Sequence, residues 1–306
     1  MFSLHWHHVY CNRVAGGVPV INIVWAIVFV LVAPVIGGLV AGIDRKITAH
    51  MQGRVGPSIL QPFYDVGKLF EKEQTVVNDT QTFYAICYII FMIFTGALFF
   101  AGGDLLLVIF ALTLAQIFLV MGAFAANSPY SYVGAERELL QIMAYEPMVI
   151  LTAVGMFVAT KSFNVSDIAA TTTPVVLLIP GIFIGFLYVL TIKLRKSPFD
   201  ISTSHHAHQE IVKGVTTEFS GPSLGLIEIT HWYETVFLLG FVYLFFGFNP
   251  LIGIAAVIIV YLLEILIDNT NARVRWQFVV KSSWLIAVIV GVVNLAALYL
   301  LSGGLK

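Results

Sequence analysis

Residues 251–263 read LIGIAAVIIVYLL, a run without a single charged side chain. A strand of a membrane barrel alternates apolar and polar residues, whereas this run is apolar on every side. A helix needs about 20 apolar residues to cross the hydrocarbon core of a bilayer. The run extends outward to residues 250–268, and it therefore predicts a membrane-spanning helix.

The whole chain has the same character. Of its 306 residues, 59% are hydrophobic and 11% are charged, against about 45–50% and about 25% in soluble domains. Such a composition excludes a water-soluble fold. Eight stretches predict spanning helices, and they are residues 18–41, 82–101, 104–126, 139–160, 174–192, 231–248, 250–268 and 281–302. We predict an all-α integral membrane protein with about eight transmembrane helices in a single membrane domain, residues 1–306.

Basic residues orient this predicted bundle. With eight spans, four loops share one side of the membrane, namely residues 42–81, 127–138, 193–230 and 269–281. Thirteen of the 16 Lys and Arg residues fall in these loops. Loops rich in Lys and Arg face the cytoplasm. We therefore expect a multi-pass protein of the cell membrane with cytoplasmic long loops and both termini on the outer side.

The second half of the first loop is amphipathic. Its apolar side is formed by Leu60, Phe63, Tyr64, Gly67, Leu69 and Phe70, and its charged side by Asp65, Lys68, Glu71 and Lys72. A helix of this kind lies in the plane of the interface. We predict an amphipathic cytoplasmic helix that lies on the membrane or on a partner.

Metal-binding residues are sparse. Cys11 and Cys87 are far apart and belong to no Cys-x-x-Cys motif, so thiolate ligands for an iron–sulfur cluster are too few. His205, His206 and His208 are either metal ligands or, as we favour, a structural or proton-buffering group. We expect no metal and no cofactor in this chain.

Acidic residues within a membrane are costly and mark a pathway or a buried pair. Glu138 and Glu146 are two helical turns apart on the fourth span, and Glu146 lies inside the membrane in this prediction. An ion pair between Arg137 and a neighbouring glutamate that only anchors the helix is the alternative.

A second group of acids lies in and beyond the loop 193–230, which is the fifth connection between the predicted spans and is called the fifth loop here. Glu210, Glu218 and Glu228 fall among apolar residues, and Glu234 follows in the next span. The segment around residues 210–221 is either an amphipathic or re-entrant stretch or a lid with surface carboxylates.

Glu264 and Asp268 form an i, i+4 pair near the end of the seventh span. Neighbouring carboxyls raise one another's pKa and suit proton exchange. Alternatively, Asp268 is simply solvated at the boundary.

Four sequence motifs in the predicted loops resemble those of a known protein family. They are Gly53-Arg-Val-Gly-Pro57 with Gln61-Pro-Phe63, then Arg137 with Tyr145-Glu146, then Ser197-Pro-Phe-Asp200, and last Arg273-Val-Arg275. The chain resembles the complex I subunit 1 family over nearly its whole length. The resemblance implies eight spans, no redox cofactor in this subunit, and a position beneath a hydrophilic arm with iron–sulfur clusters.

The fifth loop distinguishes branches of that family. Quinone-reducing members look like Pro-Phe-Asp followed by Glu-Gly-Glu-Ser-Glu, but residues 202–214 read STSHHAHQEIVKG. Trp276 stands where quinone-reducing members commonly have Tyr-Asp. The chain thus resembles the energy-converting [NiFe] hydrogenase branch. A membrane-bound sulfane-sulfur reductase, a quinone-reducing complex I and a stand-alone transporter are the alternatives.

The resemblance implies a role in ion translocation. Its implied partners are an iron–sulfur small subunit and a NiFe-type large subunit, which hold [4Fe-4S] clusters and a NiFe centre, with ferredoxin as indirect electron donor and antiporter-like membrane subunits alongside. We expect no nucleic acid among the partners. We expect a proton relay of Glu138, Glu146, Glu210, Glu218, Glu228 and Glu234. We expect docking contacts from Arg54, Asp65, Lys68, Arg137, Asp200, Arg273 and Arg275.

Overall fold

The structure is a computed structural model that describes residues 20–74, 78–202 and 213–301. Its helices are α1 (Val20–Met51), α2 (Gln61–Glu71), α3 (Asp79–Phe100), α4 (Leu105–Ala125), α5 (Pro129–Thr160), α6 (Val165–Ala169), α7 (Val175–Leu178), α8 (Pro180–Lys193), α9 (Gly221–Leu244), α10 (Pro250–Thr270), α11 (Trp276–Ile286) and α12 (Val293–Leu301). A π-helical segment, Ala287–Val292, joins α11 to α12. The described residues form no β-strand, which confirms the all-α prediction.

Six helical segments in the described residues are long and apolar enough to cross a membrane. They are α1, α3, α4, α5, α10 and the continuous helix from α11 into α12. The remaining two predicted spans differ from these. Helix α8 is apolar but short, and α9 has 24 residues but includes Glu228, His231 and Glu234. The multi-pass membrane fold is confirmed, and the count of eight stays a prediction.

Two predicted loops are partly helical. Helix α5 begins at Pro129 and α9 at Gly221, each ten residues before the predicted spans at 139 and 231. Parts of the predicted loops 127–138 and 193–230 are therefore helical. Hydropathy detects the apolar part of a helix, whereas these polar or glycine-containing first turns are held by packing. Gly134, for example, lies against the backbone of Gly214 and Val215.

Part of the predicted loop 42–81 is also helical, because α1 continues to Met51. Its last turns carry polar residues that lowered the hydropathy of the segment. In the same way, α10 extends to Thr270, past the predicted start of the loop 269–281.

The predicted span 174–192 is interrupted. The short helix α7 ends at Leu178, and α8 begins at Pro180. Proline lacks a backbone N–H and favours the first helical turn, so a new helix begins there. The 14 residues of α8 rise only about 21 Å, less than the roughly 30 Å core of a bilayer.

Short polar side chains cap the helices that follow tight connections. Asn78 accepts a hydrogen bond from Thr80 N at 3.1 Å at the start of α3. Asp104 accepts from Leu106 N at 2.8 Å at the start of α4. Such caps satisfy backbone donors that the first helical turn leaves unpaired.

The connections between helices gather at two ends of the bundle. At one end, which we call the turn end, Asp104 pairs with Asn164 in an isolated bridge, and Val176 N donates to Phe245 O at 3.3 Å. At the other, the loop end, Gln52 Nε2 donates to Asn269 Oδ1 at 3.1 Å. Ser197 Oγ donates to Asn271 O at 2.9 Å, and Gly134 lies against Gly214 and Val215. The described parts of the four predicted loops therefore meet at one end.

Helix α2 forms where the amphipathic pattern predicted a helix. Its Phe63 ring packs on Trp232 of α9, with ring centroids 5.1 Å apart, and lies against Gly38 of α1. Pro62 and Val66 are buried, whereas Tyr64 is exposed. The inner face of α2 therefore covers α1 and α9 of this same chain.

A contiguous cluster of buried apolar side chains connects the spanning helices. Its centre is aromatic, since Phe186 of α8 stacks on Phe241 of α9 at 4.8 Å and Phe241 stacks on Phe99 of α3 at 5.9 Å. Next to this apolar centre, toward the loop end, the helices enclose charged side chains.

Candidate functional site

A buried ion pair joins α5 to the segment after α8. Arg195 Nη2 lies 3.1 Å from Glu138 Oε1, and both side chains are buried. Glu138 is about 14 Å along α5 from its first residue, at 1.5 Å per residue. Burial opposes the charge on Arg195, but Glu138, Tyr88 and Glu234 outweigh it and raise the pKa of this guanidinium.

The same guanidinium contacts a histidine of α9. Arg195 Nη1 lies 2.7 Å from His231 Nε2. The same nitrogen lies 3.4 Å from His231 Nδ1, so the guanidinium faces the imidazole ring as a whole. Nδ1 of His231 lies 3.7 Å from Glu234 Oε2.

Glu234, one turn beyond His231 on α9, is surrounded by donors. Gln116 Nε2 of α4 donates to Glu234 Oε1 at 2.8 Å, and the Tyr88 hydroxyl of α3 donates to Oε2 at 3.5 Å. Lys193 Nζ lies 3.5 Å from Oε1 and 4.3 Å from the centre of the Tyr145 ring. The ammonium makes no hydrogen bond with the described residues.

These groups form one connected set, which we call the Arg195 cluster: Glu138, Lys193, Arg195, His231 and Glu234. Two cations and two anions balance when His231 is neutral, so one added proton changes the charge of the cluster. A cavity of about 10 Å³ lies among Glu138, Lys193, Arg195 and Glu234, which is about the space that one water molecule requires. The arrangement can hold and pass a proton.

The predicted relay is only partly assembled. Glu138 and Glu234 belong to the Arg195 cluster. Glu146 is half-buried and contacts Thr113 Oγ1 of α4 at 3.3 Å. Glu218 and Glu228 are half-buried, and neither makes an ion pair or hydrogen bond with the described residues. Glu210 lies outside the described residues, as do His205, His206 and His208.

Three predicted docking residues, Arg54, Lys68 and Arg275, are exposed at the loop end. Asp65 accepts a hydrogen bond from Arg45 Nη1 at 2.7 Å. Burial opposes the charge on Asp65, but hydrogen bonds from Arg45 and Gln61 together outweigh it and lower the pKa of this carboxyl.

The other predicted docking residues join parts of this chain. Arg273 holds the buried Asp200 through two hydrogen bonds, Nε to Oδ1 at 2.9 Å and Nη2 to Oδ2 at 2.7 Å. Arg137 Nη1 donates to Ile201 O at 3.3 Å. These contacts connect the loop after α8 to α5 and to the segment before α11.

The sequence did not predict that Lys193, Arg195 and His231 belong to this cluster. In the sequence prediction, Lys193 and Arg195 are only basic residues of a cytoplasmic loop, and His231 has no role. The i, i+3 spacing of His231 and Glu234 within an apolar segment is a signal that could have indicated His231. No local signal indicates that Arg195 folds back toward Glu138.

A second group of charges lies nearer the loop end, and we call Asp44, Lys196, Tyr261 and Asp268 the Lys196 cluster. Lys196 Nζ pairs with Asp44 and lies 3.2 Å from Asp268 Oδ2. The Tyr261 hydroxyl donates to Asp44 at 3.3 Å. Burial disfavours the charge on Lys196, but Asp44 and Asp268 outweigh it and raise the pKa of the ammonium.

Comparison with known proteins identifies the family. Residues 22–299 match the sequence pattern of the NADH dehydrogenase family. The chain is 26% identical to hydrogenase-4 component C of Escherichia coli, over 85% of this chain and 90% of that one. It is 30% identical to a subunit of the NADH-quinone oxidoreductase of Anoxybacillus flavithermus, over 90% and 92% of the two chains.

A solved structure has the same fold. A chain of the membrane-bound sulfane sulfur reductase, an archaeal respiratory membrane complex, superimposes with a TM-score of 0.79 and 25% identity. The match covers 89% of this chain and 99% of that chain. The chain therefore belongs to the NADH dehydrogenase subunit 1 family, whose members are membrane subunits of complex I-like respiratory complexes.

Proposed function

We propose that this chain is the ion-translocating membrane subunit of a ferredoxin-linked energy-converting hydrogenase complex. Its loop end docks an iron–sulfur subunit and a NiFe-type catalytic subunit, which hold the [4Fe-4S] clusters and the metal centre. Electrons from ferredoxin reduce protons there, and the charge change passes through this chain to antiporter-like subunits.

The observation that supports this proposal most is the Arg195 cluster. Charged side chains inside a membrane protein are costly and usually functional, and here five ionisable groups form one chain of contacts. Arg195 is shared between Glu138 and His231. A proton that arrives at Glu138 neutralises that partner, and the electrostatic balance around His231 and Glu234 changes with it.

The sequence at the fifth loop favours the hydrogenase branch. Residues 202–214 lack the acidic stretch that quinone-reducing members are expected to have, and Trp276 replaces a Tyr-Asp pair. The similarity to hydrogenase-4 component C also favours the hydrogenase branch.

A second candidate is the same role in a sulfane-sulfur reductase, because that complex contains a chain with this fold. A quinone-reducing complex is a third, since several relatives are NADH-quinone oxidoreductase subunits.

The complex, purified in mild detergent, tests these candidates through its nickel content and its products. Nickel together with ferredoxin-driven hydrogen evolution supports the hydrogenase. Sulfide production without nickel supports the sulfane-sulfur reductase instead. Quinone reduction contradicts the branch assignment.

A further inference from the structure

Glu264 of α10 is a buried acid outside the Arg195 cluster. Its exposed fraction is 0%, and Oε2 has no hydrogen-bond partner among the described residues. The other oxygen, Oε1, lies 3.2 Å from Thr191 Oγ1 of α8. No cation pairs directly with Glu264 in the described residues, and an ionised carboxylate in such a place would be costly.

The hydrogen bonds of Thr191 indicate how Glu264 avoids that cost. Thr191 Oγ1 lies 3.2 Å from Leu187 O and 3.2 Å from Glu264 Oε1. A hydroxyl has one proton to donate, and helical threonines commonly donate it to the carbonyl four residues earlier. Leu187 O can only accept. When Thr191 donates to Leu187, its oxygen accepts from Glu264, which must then be protonated.

We propose that Glu264 is a reversible proton-binding site, separate from the Arg195 cluster, that exchanges its proton with the loop end through Asp268. The proposal rests on the proposed function and adds a second proton-holding residue to it. Asp268 is one turn further along α10, so the two side chains share a face. The Asp268 side chain is 26% exposed, which gives the proton access to water.

The groups around Glu264 suit this exchange. Lys196 and Asp268 are the charged groups that act on it, Asp44 of α1 pairs with Lys196, and Tyr261 lies on the same helix. In the transfer, the O–H bond of Glu264 breaks and Asp268, or a water between them, takes the proton. No electron moves. The positive charge of Lys196 then offsets the new charge on Glu264.

Infrared difference spectra of the purified complex at acid and alkaline pH test the site without turnover. We expect a protonated-carboxyl band that disappears at alkaline pH, is absent in Glu264→Gln, and moves to higher frequency in Thr191→Val. The matched control is Glu136→Gln, an exposed acid on α5, which should keep the band. A band that persists unchanged in Glu264→Gln overturns the proposal.

A second readout is the number of ions translocated per hydrogen evolved in proteoliposomes. We expect this ratio to fall at least threefold in Glu264→Gln and to recover partly in Glu264→Asp, which remains titratable. An unchanged ratio in Glu264→Gln, with the native complex evolving hydrogen and pumping, overturns the Glu264 site alone. A native complex that evolves no hydrogen contradicts the proposed function instead, and the infrared result stands independently of it.

Discussion

Two ion pairs in this chain differ mainly in their burial. The side chains of Arg195 and Glu138 are 9% and 6% exposed, whereas those of Arg45 and Asp65 are 48% and 40% exposed. Water screens the second pair, so it contributes little. Inside the bundle, the loss of Arg195 leaves the buried charge of Glu138 without its direct partner, which is costly.

We therefore expect Arg195→Gln to lower the free energy of unfolding by about 3–5 kcal/mol. The matched change Arg45→Gln should cost less than about 1 kcal/mol. Denaturant or thermal unfolding of the subunit in its purified complex measures both. The double variant Arg195→Gln/Glu138→Gln should lose less than the sum of the single changes, and equal effects at Arg45 and Arg195 would contradict this account.

The Lys196 cluster predicts a dependence of stability on pH. A raised pKa in the folded state means that the stabilisation by Lys196 is fully present below its unfolded pKa of about 10.4. It is lost as the pH rises through the higher folded pKa. The difference in melting temperature between native protein and Lys196→Met should thus be constant at neutral pH and shrink above about pH 10. A difference that does not change with pH would refute this expectation.

Site residues were predictable from the sequence where an acidic residue lies within an apolar segment. Glu138 and Glu234 could be selected because acids in apolar segments are costly. Arg195, Lys193 and Lys196 could not, because near a helix end a basic residue is usually solvated. Their inward positions depend on contacts with α1, α5, α9 and α10, which are distant in sequence.

At the scale of helices, close packing depends on small residues at the crossings. A Cβ atom on Gly37 of α1 would lie 2.5 Å from Trp232 O of α9. The obstacle is backbone, so the helices would have to separate. On α2, by contrast, a Cβ atom on Gly67 would meet nothing within 4 Å.

We expect Gly37→Ala to destabilise the subunit and to lower its yield in the assembled complex. Gly67→Ala, the control, should be neutral or stabilise α2 by up to about 1 kcal/mol, because alanine is the better helix former. Melting temperatures of the two variants provide the test. A Gly37→Ala protein as stable as Gly67→Ala would mean that α1 and α9 do not approach so closely.

Helix existence was more predictable than helix ends. The apolar runs located α3, α4 and α10 within a few residues. They placed α5 and α9 ten residues late, because the first turns of these helices are polar and are stabilised by neighbouring segments. The apolar run 174–192 continues through Pro180, so hydropathy alone predicts one span there, whereas the structure has α7 and α8.

At the scale of the whole molecule, the loop end carries the exposed basic residues Arg54, Lys68 and Arg275. Charge reversal of Arg54 and Arg275 to Glu should weaken the attachment of the docked subunits while the melting temperature of the membrane part is unchanged. Lys161→Glu, an exposed residue at the turn end, is the control and should leave the complex intact. Gel filtration at moderate salt detects the loss of the arm, and equal loss in all variants would contradict docking at the loop end.

The membrane class, the all-α fold and the family were predictable from composition and loop motifs. The grouping of the long loops at one end also followed from the distribution of basic residues. The Arg195 cluster as a whole was not predictable, because its residues come from α5, the end of α8 and α9. Sequence patterns report each helix alone, whereas the cluster depends on how they pack.

The most direct test of the central claim is ion translocation by the complex in proteoliposomes, with ferredoxin-driven turnover followed at the same time. The compared proteins are native, Glu234→Gln and the exposed control Glu136→Gln. We predict that Glu234→Gln lowers the number of ions moved per turnover at least tenfold and that Glu136→Gln moves as many as native protein. Native translocation by Glu234→Gln would show that the Arg195 cluster is not the path of coupling.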